Sequence, residues 1–266
     1  MGGSSARKVA LVTGGNRGIG RGIALELAAA GYDLLLTARD GDALRDAAAD
    51  AERLGAAVEL RAADLTEPAT AGSLVKAVTD RFGRLDVLIE NAGGAKRGHL
   101  LELADSDWIN AFALKFFAHV RLAREAWPLL RESGGSVVAI SGIGARAPVA
   151  DYAIGSSVCG AQIAFMKALA DLGKHEGVQV NVVNPGTVET DRFRHRLDLV
   201  RRKTGLDEAT AREHHRREIG VVRFGLPEDV AALVAFIVSP RGRWIHGSAI
   251  DIDGGQLEPL RMAHYD

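Results

Sequence analysis

The run Thr13-Gly14-Gly15-Asn16-Arg17-Gly18-Ile19-Gly20 has residue types and a spacing that prescribe a chemistry. It joins an apolar run, Val9-Ala10-Leu11-Val12, to a stretch with Ile19, Ile23 and Leu27 at helical spacing. A glycine-rich turn leading from a strand into a helix brings backbone N–H groups against an anionic pyrophosphate. The helix N-terminus adds its partial positive charge. Glycine is needed wherever a side chain would block that approach.

Such a turn works only at the end of a strand, and the rest of the chain supplies more strand ends. Apolar, β-rich runs fall at 7–12, 32–37, 57–62, 85–90, 136–141, 178–183 and 249–252. Helical stretches lie between them at 18–30, 40–54, 67–82, 104–131, 152–175 and 227–238. This alternation implies parallel βαβ units with right-handed crossovers. The expected fold is α/β, a single doubly wound parallel sheet of about seven strands, with helices on both faces and a ligand crevice at the carboxyl ends of the strands. No Pro/Gly/Ser-rich linker interrupts it, so residues 1–266 read as one domain. Lys and Arg number 33 against 34 Asp and Glu, which gives no overall pull toward nucleic acid or membrane. No stretch reads as long and apolar enough to span a bilayer. Met1 to Lys8 lack the apolar core of a signal peptide and read as a lead-in to the first strand; a cytoplasmic location is expected. The lone cysteine, Cys159, excludes an internal disulfide and a cysteine-based zinc site, and no metal is expected.

The first turn reads Thr-Gly-x-x-x-Gly-Ile-Gly. Four further motifs follow in order: Asn91-Ala92-Gly93 after an apolar run, Tyr152, Asn184-Pro185-Gly186-Thr187-Val188-Glu189-Thr190, and Ile250-Asp251-Ile252-Asp253-Gly254-Gly255. In these motifs the chain resembles the classical short-chain dehydrogenase/reductase family, over nearly its whole length. The resemblance implies a Rossmann-like fold and hydride transfer between a nicotinamide dinucleotide and a small-molecule carbonyl or secondary alcohol. It makes 191–223 a helical lid over the substrate. That segment is rich in Arg and His, and two readings stay open: a solvated helical face, or a basic surface that draws an anionic substrate or a cofactor phosphate. The resemblance also implies a homotetramer, or a homodimer at least, formed through the helices near 104–131 and 152–175. Phe112, Phe116, Phe117, Ile163, Phe165 and Leu169 on these helices are more apolar surface than one face can bury.

The cofactor residues implied in the same way are Gly14, Asn16, Arg17, Gly18, Ile19 and Gly20 for the phosphates, and Asp64 with Leu65 at the adenine. Asn91, Ala92 and Gly93 would lie beneath the adenine ribose, and Tyr152, Pro185, Gly186, Val188 and Thr190 around the nicotinamide. Read without the resemblance, Asp64 and Thr66 also suit the start of a helix at Glu67-Pro68. Glu90 stands where the family more often has Asn. NAD-selective enzymes end the second strand with an acid that binds the ribose hydroxyls. Here the strand ends Leu36-Thr37-Ala38-Arg39, so Ala38 takes the acid's place and a guanidinium follows. Arg17 adds a second, and planar forked donors suit a 2′-phosphate. NADP(H) is therefore expected over NAD(H).

The family's proton donor is a Tyr four residues before a Lys on one helix. A Ser at the preceding strand end polarises the substrate oxygen, and an Asn lies on the long helix before that strand. This chain has Tyr152, but Ser156 holds the Lys position. Gly142 aligns with the Ser, and a one-residue register shift would restore Ser141. Lys115 aligns with the Asn, in the apolar run Phe112 to Phe117. Either the positive charge has moved from one helix to its neighbour, with Tyr152, Lys115, Ser141 and Ser156 as the catalytic group, or the protein is a catalytically silent NADP(H)-binding sensor or scaffold. Lyase or isomerase work by Tyr152 is a third reading, disfavoured by the intact glycine-rich turn.

Overall fold

In the computed structural model, which describes residues 7–256, seven strands form one parallel sheet. The first half runs β1 (Lys8–Thr13), α1 (Gly18–Ala29), β2 (Tyr32–Ala38), α2 (Gly41–Arg53), β3 (Val58–Ala62) and α3 (Thr70–Phe82). The second runs β4 (Val87–Glu90), α4 (Asp105–Phe112), α5 (Ala118–Ser133), β5 (Ser136–Ile140), α6 (Ala153–Glu176) and β6 (Gln179–Pro185). Then come α7 (Asp191–Thr204), α8 (Glu208–Glu218), α9 (Pro227–Val238) and β7 (Ala249–Ile252). The strand order is β3-β2-β1-β4-β5-β6-β7. It reverses between β1 and β4, and connections leaving those strands in opposite directions open a crevice at their carboxyl ends.

The central strands are near-continuous apolar runs because both faces are covered. Alternate residues of β1 serve different cores. Ala10 and Val12 pack with α1, α2 and α9, while Val9 and Leu11 pack with α3, α5 and α6. The register sets Leu11 beside Leu35 of β2 and Leu88 of β4, all three fully buried.

Four expectations need correction. The helix expected from 67 begins at Thr70, because residues 65–69 form turns. The helix expected over 104–131 is interrupted by a π turn, Ala113–Phe117, a single wide turn that apolar periodicity does not announce. The helix expected from 152 begins at Ala153, with Tyr152 as its N-cap and the last residue of a single tight turn, Ala150–Tyr152, that runs straight into it. Finally, Ala150–Glu176 is long and apolar enough to cross a membrane, with a mean hydropathy of 1.3. Packing accounts for that composition: Ile154, Val158, Met166 and Ala170 are buried, the last two in the core beneath the sheet. The 191–223 segment folds as α7 and α8 around its own small core of Phe193, Leu197, Ala211, Val221 and Phe224. Of the expected lead-in, residues 1–6 lie outside the described residues.

Candidate active site

Thr13, at the end of β1, braces the crevice. Its hydroxyl donates to the Ile89 carbonyl (3.1 Å) and accepts from the N–H groups of Asn91 (2.9 Å) and Ala92 (3.0 Å). The Asn91 amide donates back to the carbonyls of Thr13 (2.9 Å) and Gly14 (3.3 Å). The glycine-rich turn and the Asn91–Ala92–Gly93 turn are thus tied into one ledge. α1 starts directly above it, with Arg17 as its N-cap and no side chain capping its first N–H groups. Those donors remain for an anion or water. A Cβ at position 20 would fall within contact distance of the Gly14 carbonyl and the Asn91 amide, so only glycine lets the helix begin this close. These features fit a dinucleotide pyrophosphate.

Further along the crevice, Ala38 is half-buried and Arg39 exposed at the end of β2, and Arg39 lies close enough to Asp64 for its charge to be felt there. One Asp64 carboxylate oxygen accepts from the Thr66 N–H (2.9 Å) and hydroxyl (2.8 Å). Those bonds hold the carboxyl below its usual range. The Thr70 hydroxyl donates to the Asp64 carbonyl (2.7 Å), which explains the late start of α3. Leu65 is buried beneath. The Arg17 guanidinium lies 3.5 Å from Asp191 at the start of α7. Arg17 thus pairs with Asp191, whereas Arg39 forms no hydrogen bond or ion pair among the described residues. On the far side, Pro185 pairs with Ile252 of β7, Gly186 donates its N–H to the Ile252 carbonyl (3.0 Å), and Val188 bridges to Gly225. Thr190, whose hydroxyl donates to the Val188 carbonyl (3.4 Å), stands at the N-cap position of α7 without a side-chain capping bond.

The π turn places Lys115. Its stem lies against Gly93, and its buried ammonium donates to the Ser141 carbonyl (2.6 Å) just past β5. Among the described residues no hydrogen bond joins it to Tyr152 and no carboxylate pairs with it. The Ser141 hydroxyl is turned onto the Cys159 carbonyl of α6 (3.4 Å), away from the crevice, and Gly142 brings no hydroxyl of its own. Tyr152 sits outside α6, yet its ring lies over the helix: a Cβ at position 155 would fall within the ring itself. Measured from the ring, the helix position beneath the phenol is Gly155, and four residues on is Cys159, which is buried. Ser156 follows Gly155. Its buried hydroxyl has no hydrogen-bond partner and lies beside Gly144, as does the Tyr152 ring. Sequence reasoning missed Gly155; the only signal was a glycine inside an otherwise good helix.

Beneath Lys115, three polar side chains are fully buried. His119 donates from Nε2 to the Ala92 carbonyl (3.0 Å) and accepts at Nδ1 from the Gln162 amide N–H (2.6 Å), and it lies 3.8 Å from Glu90. Burial pulls the His119 pKa down to about 4, with the Lys115 charge adding to the effect. Burial alone pushes Glu90 well above its ordinary value, and both its oxygens lack partners. Glu90 thus holds its proton when folded and loses it readily when unfolded. Its contribution to stability is complete below the unfolded value and declines as pH rises through it. Glu90→Gln cannot ionise. The variant is expected to gain in melting temperature relative to the parent from pH 5 to pH 8; a difference that stays constant across that range would count against a neutral Glu90.

A family model described as enoyl-(acyl carrier protein) reductase matches residues 14–256. The chain is 33% identical over 267 residues to a hydroxynaphthalene reductase of Aspergillus fumigatus, covering 94% of this chain and 95% of that protein. It is 34% identical over 266 residues to a rhamnolipids biosynthesis 3-oxoacyl-[acyl-carrier-protein] reductase of Pseudomonas aeruginosa, covering 95% and 97%. The crystal structure of L-sorbose reductase from Gluconobacter frateurii, complexed with NADPH and L-sorbose, superposes with a TM-score of 0.91 at 32% identity, covering 96% of this chain and 98% of that one.

Proposed function

The chain belongs to the short-chain dehydrogenase/reductase family of oxidoreductases, and on that premise we propose that it is an NADP(H)-dependent reductase or dehydrogenase of a carbonyl or secondary alcohol, with Tyr152 as acid and base. The observation that carries this reading is Lys115. A buried ammonium bonded only to one carbonyl keeps two donors free at the strand edge where the substrate oxygen must lie. Burying such a charge is costly unless something uses it.

In reduction, Tyr152 gives its phenolic proton to the substrate oxygen, and in oxidation it takes that proton back. Lys115 supplies the positive charge of this catalytic group from the neighbouring helix. The Ser156 hydroxyl, beside the ring and without a partner, takes the polarising place that Gly142 leaves empty. NADP(H) supplies or accepts the hydride when bound. The ledge of Gly14 and Asn91, the α1 N-terminus with Gly18, Ile19 and Gly20, and the 185–190 segment would hold it. Residues 191–223 act as the lid of a single catalytic unit, and its basic composition favours an anionic substrate. The test is anaerobic turnover of NADPH against a panel of ketones and aldehydes; NADPH binding with no turnover of any of them would overturn the assignment.

Arg39 carries the cofactor preference in this reading, since Ala38 offers no acid. NADPH is expected to bind about 1–3 kcal/mol more tightly than NADH, the scale of charge-assisted contacts. Arg39→Asp should reverse the order, and equal affinities in the parent, read by fluorescence titration, would refute it.

Assembly follows from the α4–α6 surface. Phe112, Phe116, Phe117 and Phe165 form a linked aromatic cluster, with neighbouring ring centroids 5.3–6.1 Å apart. Phe117 is half exposed, and Leu172 of α6 is exposed as well. We expect a homotetramer or homodimer built on this face. Sedimentation that finds only monomer at micromolar concentration would overturn it.

A further inference from the structure

Of the eight arginines on α7 and α8, six are committed to partners nearby, and Arg202 is exposed to solvent. Arg192 donates to the Gly93 carbonyl (2.9 Å), Arg194 pairs with Asp191, Arg201 with Asp198, Arg212 with Glu189, and Arg216 and Arg217 with Glu213. Arg196 is different. It is half-buried on the side of α7 that carries Phe193 and Leu197, and among the described residues it makes no hydrogen bond and has no carboxylate within ion-pair distance. Its electrostatic neighbours are Arg97, Asp151, Glu218 and Tyr152. Both acids have other partners: Asp151 accepts two bonds from Arg97 (3.0 Å each), and Glu218 lies 3.1 Å from His215. The Arg97 guanidinium stacks over the Tyr152 ring, 4.1 Å from its centroid.

Arg97 therefore lies on the candidate acid–base, and Arg196 is within electrostatic reach of it with all its donors free among the described residues. A half-buried guanidinium whose donors meet only water can exchange that water for an anion. A planar fork of N–H groups matches a carboxylate. We propose that Arg196 is the substrate's anchor and that the substrate is an oxo acid, its carboxylate on Arg196 and its carbonyl oxygen at Tyr152. This rests on the oxidoreductase reading above and narrows it to one substrate class.

The test uses the full chain with NADPH and a set of 2-, 3- and 4-oxo acids, each paired with its methyl ester. The acids are expected to exceed their esters in kcat/KM by about 10–100-fold, the worth of a charge-assisted contact. Arg196→Met should collapse that ratio to near one through KM, and Arg196→Lys should keep part of it. In parallel, hexanoate and hexanamide are titrated into the protein with NADP bound, a readout that needs no turnover. Hexanoate should bind at least about tenfold more tightly in the parent, and Arg196→Met should abolish the difference. Esters turned over as well as acids would overturn the anchor while leaving the reductase reading intact. Hexanoate bound selectively through Arg196, with no carbonyl compound reduced, would uphold the anion site and overturn the reductase reading. An acid-to-ester ratio unchanged in Arg196→Met would overturn Arg196 as the anchor.

Discussion

Lys115→Met is expected to lower kcat/KM on any substrate found by about 10²–10⁴, the usual range for loss of acid–base assistance. Met keeps the apolar stem that packs against Gly93 and removes only the ammonium at the end of β5. NADPH affinity should fall far less, since the pyrophosphate ledge lies on the other side of the Asn91–Ala92–Gly93 turn. A melting temperature equal to the parent's distinguishes lost chemistry from lost packing. A variant that turns over like the parent would remove Lys115 from the mechanism. If Tyr152→Phe were then harmless as well, the protein would be a cofactor binder without chemistry.

The second large effect is expected at a residue with no functional group. Gly155→Ala adds one methyl where the Tyr152 ring now lies, so the ring must leave its seat on α6. Activity should drop to within about tenfold of Tyr152→Phe, whose loss is set by the same acid–base range. Helix propensity predicts the opposite sign for stability, since Ala is favoured over Gly inside a helix by about 1 kcal/mol. A variant that is as stable as the parent or more so, and inactive, would be the clearest outcome. An active Gly155→Ala protein would show that the phenol does not work from this seat.

Much of the framework is legible in the residues. Val9–Val12, Leu34–Leu36 and Val137–Ile140 are runs that only a sheet covered on both sides can use, and each is fully or almost fully buried in its strand. Asp40, the first residue of the expected second helix, stands one place before α2 and caps it by accepting from the Asp42 and Ala43 N–H groups (3.1 Å each). The misread start of α3 came from weighing Pro68 as a first-turn residue, when the Asp64–Thr66–Thr70 hydrogen bonds hold that segment in turns. In the crevice, residue types were readable but directions were not. Lys115 stands out as a charge among phenylalanines, yet nothing in the run announces the π turn that aims it. Arg17 sits in the expected turn and points to Asp191. Tyr152 and Ser156 are paired by their spacing, and both do lie beside Gly144. The seat of the phenol ring over Gly155 is visible only in three dimensions.

The apolar character of α6 has a consequence during synthesis. Its cover includes β6, which follows it, and β6 is itself completed by β7, almost at the end of the chain. When Glu176 has left the ribosome, 76 residues (252 − 176) must still follow before β7 is complete, and at about 5–20 residues per second they take about 4–15 s to appear. For that interval a segment with the hydropathy of a bilayer span waits for its strand beside the open edge of β5. Holding chaperones and the membrane-targeting machinery both recognise such a segment. The yield of folded protein should therefore depend on how quickly the last third of the chain is translated, and slow codons after residue 176 should lower it without altering the finished molecule.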